Sequence, residues 1–200
     1  MTARSSDPQP STTNSSARTP LSVAPAETPG HGLLTGRVVV VTAAAGTGIG
    51  SATARRALAE GADVVISDVH ARRLEATREE LEALGLGKVS AITCDVTDTA
   101  QVDALIAYAV STLGRIDVLV NNAGLGGETP VADMTDDQWS RVLDVTLGST
   151  FRCTRVALNY FRGVEHGGRG AADRDSAGLP AAAGVPAAAA AAAAALTGYA

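Results

Sequence analysis

This sequence predicts a doubly wound α/β fold with a parallel sheet, and three observations carry that prediction. Short runs that are apolar throughout alternate with segments of helical periodicity. Glycines close those helical segments, and the first apolar run leads straight into a glycine-rich turn. Strands without a polar face need helices on both sides of the sheet, whereas a sheet with one wet face alternates apolar and polar residues. The signal occupies residues 33–163. Residues 1–32 are rich in Ser, Thr and Pro and are expected to be a disordered tail, because so little apolar surface cannot offset the entropy of ordering a chain. That segment has no apolar central run, and Asp7, Glu27 and five prolines disfavour a targeting peptide.

The elements follow in order. Residues 37–42 are the first expected strand. Residues 49–60 place Ile49, Ala52, Thr53, Arg56, Ala57 and Glu60 at helical spacing and stop at Gly61. Residues 63–68 read as the second strand, 71–84 as a helix stopped by Gly85, and 88–93 as the third strand. A helix over 99–113 ends at Gly114, and 116–121 is the fourth strand. Thr135 with Gln138 three residues on is a capping-box pattern. It predicts one long helix through Trp139, Val142, Leu143, Leu147, Phe151 and Val156 towards Phe161. Trp139, Leu143, Leu147 and Phe151 recur every four residues and are expected to form a core or dimer stripe.

From residue 164 the composition shifts to Ala, Gly, Pro and Arg, ending in nine consecutive alanines at 187–195, so 164–200 is expected to be a low-complexity tail. The alanines raise the hydrophobic fraction to 46% without adding large core side chains. They fall far short of the roughly 20 strongly apolar residues that cross a bilayer, so a soluble, cytoplasmic protein with no membrane partner is expected. The net charge is −5, and the arginines are scattered among acids, which gives no support to nucleic-acid binding. Cys94 and Cys153 have no second Cys or His at ligand spacing. Two reduced core thiols and no metal are expected.

The chemistry is concentrated at the strand ends. Gly46, Gly48 and Gly50 lie where the first strand turns into a helix, so backbone N–H groups can approach a pyrophosphate and the helix N-terminus adds positive potential. Asp68 ends the second strand eighteen residues beyond Gly50, where a carboxylate can accept bonds from adenosine ribose hydroxyls and repel a 2′-phosphate. No Arg or Lys lies within 43–47, so NAD is favoured over NADP, while His70, Arg72 and Arg73 keep NADP open. The other reading of Asp68 is a strand-ending, helix-capping acid.

The run Thr42-Ala-Ala-Ala-Gly-Thr-Gly-Ile-Gly50, with Asn121-Asn122-Ala123-Gly124 ending the fourth strand, resembles the short-chain dehydrogenase/reductase family and its NAD(P)-binding Rossmann fold. Against that family's Thr-Gly-x-x-x-Gly-x-Gly pattern, Ala43 replaces the first glycine and the loop is one residue longer. The resemblance implies cofactor contacts from Thr42, Gly46, Gly48, Ile49 and Gly50, and places Asp95-Val96 beside the adenine ring. It further implies a strand-stabilising segment with room for the cofactor ribose at Asn122, Ala123 and Gly124. Val142-Leu143-Asp144-Val145-Thr146-Leu147 resembles the segment that presents an active-site Asn, here Thr146.

The family uses a Ser and a Tyr-x-x-x-Lys pair further on. The only lysine is Lys88, and none of Tyr108, Tyr160 or Tyr199 has a lysine four residues later, so no catalytic residue is assigned. Ser176 is followed by no strand pattern. The resemblance therefore implies an NAD(P)-dependent oxidoreductase interconverting a secondary alcohol and a ketone, 3-oxoacyl or steroid-derived, in a family that is usually homo-oligomeric. The competing expectation is an inactive nucleotide-binding fragment, or a non-catalytic partner of a complete homologue. On this reading the sheet is incomplete after its fourth strand, which becomes an exposed edge. The tail is expected to be a frame-shifted translation of a GC-rich coding region.

Overall fold

The computed structural model describes residues 28–126 and 129–167. The tail expected over 1–32 lies outside them as far as residue 27, and so do 168–200, with Ser176, the alanine run and Tyr199. Strands β1 (Val38–Val41), β2 (Asp63–Asp68), β3 (Val89–Thr93) and β4 (Val118–Val120) form one parallel sheet in the order β3-β2-β1-β4. Val40 pairs with Val65 on one side and Leu119 on the other, so β1 is central and β4 lies at an edge among the described residues.

The strands are apolar throughout because both faces are covered. Helices α1 (Ile49–Ala59) and α2 (Ala71–Glu82) pack Ala54, Leu58, Leu74 and Leu81 on Val39, Val41, Val64 and Ile66. Helix α3 (Thr99–Leu113) packs Val102, Leu105 and Ile106 on Val40, Val65 and Ile92 across the opposite face. The Asp98 side chain caps α3 by accepting the N–H groups of Ala100 and Gln101, which its missing preceding turn would otherwise leave unpaired. Cys94, just after β3, and Cys153 are both buried on this second face.

The long helix expected from Thr135 is interrupted. Helix α4 (Asp136–Leu143) begins with the capping box, Gln138 N–H donating to Thr135 Oγ1 and Thr135 N–H to the Gln138 amide oxygen. A π-helical turn, Asp144–Gly148, then separates it from α5 (Ser149–Gly167). Local polar chemistry supports the wide turn. The Ser149 hydroxyl donates to the Val145 carbonyl and the Thr150 hydroxyl to the Thr146 carbonyl, while Arg152 pairs with Asp144 across it. A Cβ at Gly148 would lie 2.7 Å from Asp144 Oδ1 and 3.1 Å from Arg152 Nη1, so a side chain there would require this ion pair to shift. Of the core or dimer stripe expected, the core alternative is not met: Trp139, Leu147 and Phe151 are largely exposed, and Cys153 and Ala157 supply the buried face of α5.

Residues 28–36 lie along the C-terminal end of α1. The buried Glu60 carboxylate accepts the N–H groups of His31 and Leu33 and pairs with Arg56, whose guanidinium also donates to the Thr28 carbonyl. The Leu33 and His31 amides, aided by Arg56, hold this carboxyl at about 2, well below the ordinary value of 4.5.

Candidate cofactor site

Because all four strands run parallel, the segments following them gather at one edge of the sheet, and the connections from β1 and β4 leave in opposite directions. Such a divergence opens a crevice at the carboxyl ends of the strands. Residues 42–50, Asp68, Asp95-Val96 and Asn122-Ala123-Gly124 are all brought to that edge.

Its centre is a clasp between β1 and β4. The buried Thr42 hydroxyl accepts the N–H groups of Asn122 at 3.0 Å and Ala123 at 3.2 Å, and donates to the Val120 carbonyl. Asn122 returns the connection, its Nδ2 donating to the carbonyls of Thr42 and Ala43 at 3.0 and 2.9 Å. These polar atoms are therefore occupied in shaping the crevice. Gly50 sits directly beneath, where a Cβ would come within 2.6 Å of Asn122 Nδ2 and 2.7 Å of the Ala43 carbonyl oxygen. A side chain at position 50 would push the two strand ends apart.

The phosphate cradle has the opposite character. Gly48 is the N-cap of α1, no side chain accepts the N–H groups of the first turn, and no acidic residue lies in that turn. A Cβ built at Gly46 or Gly48 meets nothing within 4 Å, and Ile49 is 79% exposed. The N–H groups of this first turn are unclaimed and suit an anion, so the residues present fit a dinucleotide pyrophosphate, although the Gly46 N–H expected to join them is taken by Thr77.

Two bonds fix the loop leading there. Ala45 N–H donates to Asp68 Oδ2 at 3.2 Å, and Gly46 N–H donates to the buried Thr77 hydroxyl on α2 at 2.8 Å. Asp68 Oδ1 accepts the His70 N–H at 3.0 Å, so each carboxylate oxygen has one protein partner and retains a lone pair for a ribose hydroxyl. Asp68 does end β2, but it does not cap α2, whose N-cap is His70 and whose first turn has no side-chain cap; its bonds to Ala45 and His70 hold the turn instead and leave room for a ribose hydroxyl. Ala43 occupies the left-handed region at φ 51°, the conformation that glycine adopts without cost and that the family pattern supplies at this position.

Asp95 Oδ1 accepts from both the N–H and hydroxyl of Thr97, and Val96 is buried. On the β4 side, Thr146 in the π-helical turn is brought to Gly124: its hydroxyl accepts the Leu125 N–H at 3.1 Å. Thr77 was invisible to sequence reasoning, since its partner lies 31 residues away and no motif marks it. Among the described residues no cluster of His, Cys, Asp and Glu could hold a metal ion, and no helix is long and apolar enough to cross a membrane.

The short chain dehydrogenase family profile matches residues 37–172. The chain belongs to this family. The match runs past residue 163, where the alternating apolar and helical signal stops. The chain is 74% identical over 148 residues to the (5R,7aS)-5-hydroxy-7a-methyl-1-oxo-2,3,5,6,7,7a-hexahydro-1H-indene-carboxyl-CoA reductase of Mycobacterium tuberculosis, covering 74% of this chain and 56% of the relative. It is 36% identical over 137 residues to 3beta-hydroxysteroid dehydrogenase 2 of Eggerthella lenta, covering 68% and 52%. A crystal structure of a short chain dehydrogenase from Mycobacterium smegmatis superposes with a TM-score of 0.70 at 69% identity, covering 72% of this chain and 60% of that one. The chain spans about half the length of the curated relatives it matches.

Proposed function

We propose that this chain carries the NAD(H)-binding part of a short-chain reductase that interconverts a ketone and a secondary alcohol on a fused-ring CoA thioester. The observation that carries the cofactor reading is the uncapped first turn of α1 beside the Asp68 carboxylate. Support for the substrate class comes from the 74% identity to the M. tuberculosis indene-carboxyl-CoA reductase. A bound nicotinamide would supply the hydride chemistry of such an interconversion. The chain's own residues seat and orient it: the α1 N–H groups take the pyrophosphate, Asp68 accepts the ribose hydroxyls, and Asn122 with Thr42 holds the crevice to shape.

Asp68 favours NADH over NADPH, since its carboxylate, held in place by the Ala45 and His70 amides, accepts ribose hydroxyls and repels a 2′-phosphate. Titration calorimetry tests this. NADH is expected to bind more tightly than NADPH, and Asp68→Ala to lower NADH affinity by roughly tenfold, the scale of a hydrogen bond to a charged group. Tighter NADPH binding by the unmutated chain would overturn the assignment.

A second reading, dinucleotide binding without turnover, is favoured by one observation. The only lysine, Lys88, adjoins the start of β3, at the opposite edge of the sheet from the crevice, so no described tyrosine has the lysine partner that the family's proton transfer requires.

A further inference from the structure

The glycine loop of this chain has one residue more than the family pattern Thr-Gly-x-x-x-Gly-x-Gly, and the structure anchors the lengthened loop at Gly46. Gly46 adopts φ 85°, open to L residues only at a cost, and directs its N–H away from the crevice to Thr77 Oγ1 at 2.8 Å. Thr77 is buried, and its hydroxyl proton is committed to the Arg73 carbonyl one turn earlier in α2 at 3.0 Å. With that donation fixed, the oxygen is aimed as an acceptor. The neighbouring Ala45 N–H is held by Asp68, so two successive loop amides are tied to two different elements, β2 and α2. An extra residue lengthens a loop and lets it sample the space above the α1 N-terminus, where a phosphate would have to sit.

We infer that Thr77 is a positioning residue for the dinucleotide: it draws the lengthened loop outwards onto α2 at Gly46, keeping the α1 N-terminus clear and Ala45 within reach of Asp68. This inference rests on the cofactor reading above. It assigns no contact between Thr77 and the cofactor. The effect passes through the loop alone, so it depends on the Oγ atom and on the presence of Gly46.

The test is NADH titration calorimetry on Thr77→Val, which keeps the branched shape and loses the acceptor, and on Thr77→Ser, which keeps the acceptor. Both are measured in the full chain and again with Gly46 deleted. Alongside, amide exchange at Gly46 is followed by NMR without ligand. Thr77→Val is expected to weaken NADH binding roughly three- to tenfold, as for one neutral hydrogen bond, and to speed Gly46 exchange. Thr77→Ser should restore both, and Thr77→Val should have no effect on affinity once Gly46 is gone. Unchanged affinity in Thr77→Val, or an equal loss in the Gly46-deleted chain, overturns the inference. An unmutated chain that binds no dinucleotide overturns the cofactor reading, and with it the positioning role. The Gly46 exchange rate then still shows whether the tether itself forms. If Thr77→Val fails to fold, Thr77→Ala with Thr77→Ser as the rescuing partner reads the same comparison.

Discussion

Val40, Val41, Val64, Val65 and Ile66, in β1 and β2, are fully buried, whereas Val118, Leu119 and Val120 of β4 are each only half-buried. The helices repeat the contrast. Leu58 and Leu81 of α1 and α2 lie in the core, but Leu147 is 66% exposed and Phe151 62% exposed. The β1–β3 side of the sheet is packed on both faces, and its loops are tied across elements by Asp68 and Thr77. On the β4 side, side-chain hydroxyls and one ion pair hold a π-helical turn. The contacts proposed at the α1 N-terminus and Asp68 fall on the well-packed side, whereas Asn122, Ala123 and Gly124 follow β4, so the crevice joins regions of different internal support, and the described residues provide for nucleotide binding without assigning one to turnover.

The largest expected effect separates those two tasks. The chain should bind NADH yet leave its absorbance unchanged with 3-oxoacyl thioesters and steroid-type ketones, since general acid–base groups typically contribute about 10²–10⁴-fold each. Tyr160 packs edge-on against Phe161 at 5.7 Å between ring centroids, in α5. Steady NADH consumption that survives Tyr160→Phe and disappears with Gly48→Trp would reveal a working active site and break the contrast.

Truncations on the two sides sharpen it. Ile66→Ala is expected to cost about 2–5 kcal/mol in urea denaturation, the range for emptying a buried aliphatic site. Leu147→Ala should stay within about 0.5 kcal/mol, as for an exposed position. Similar losses at both positions would mean that Leu147 is covered in solution.

Glu60 gives a pH signature confined to the well-packed side. Its carboxyl in the folded chain, at about 2, lies below the ordinary 4.5, so the stabilisation is fully present above pH 4.5 and is lost as the pH falls towards 2. Proteolysis near residues 28–36 should therefore accelerate across that window, and Glu60→Gln should flatten the dependence. The smallest effect is at Ala43. Replacing it by glycine relieves roughly 1–2 kcal/mol of left-handed strain but adds unfolded-chain entropy, leaving a gain of about 0.5 kcal/mol, visible as a slightly raised Tm.

Much of this fold was legible because each strand had one composition and each helix its own stop. Residues 63–68 and 99–113 were read with the observed bounds, for apolar runs flanked by turn residues leave few alternatives. The break at Asp144–Gly148 was not legible. A four-residue spacing through Trp139, Leu143, Leu147 and Phe151 looks the same whether or not the backbone widens between them, and the cause is a set of hydroxyl-to-carbonyl bonds that periodicity does not register. The glycines and Asp68 are legible as candidates from their position at strand ends. Thr77 and the strained φ of Ala43 depend on how two segments meet in space, which no single segment encodes.

Burial pushes the Cys94 thiol up to about 12, with Cys153 nearby adding to it, and pushes Cys153 up to about 11. Thiolate is the reactive form, so at neutral pH both sulfurs are chemically silent while α3, β3 and α5 stay together. The chain thus contains its own clock for the opening of that layer: the rate at which a thiol reagent consumes the pair counts excursions of α5 away from α3, without any label being added to the molecule.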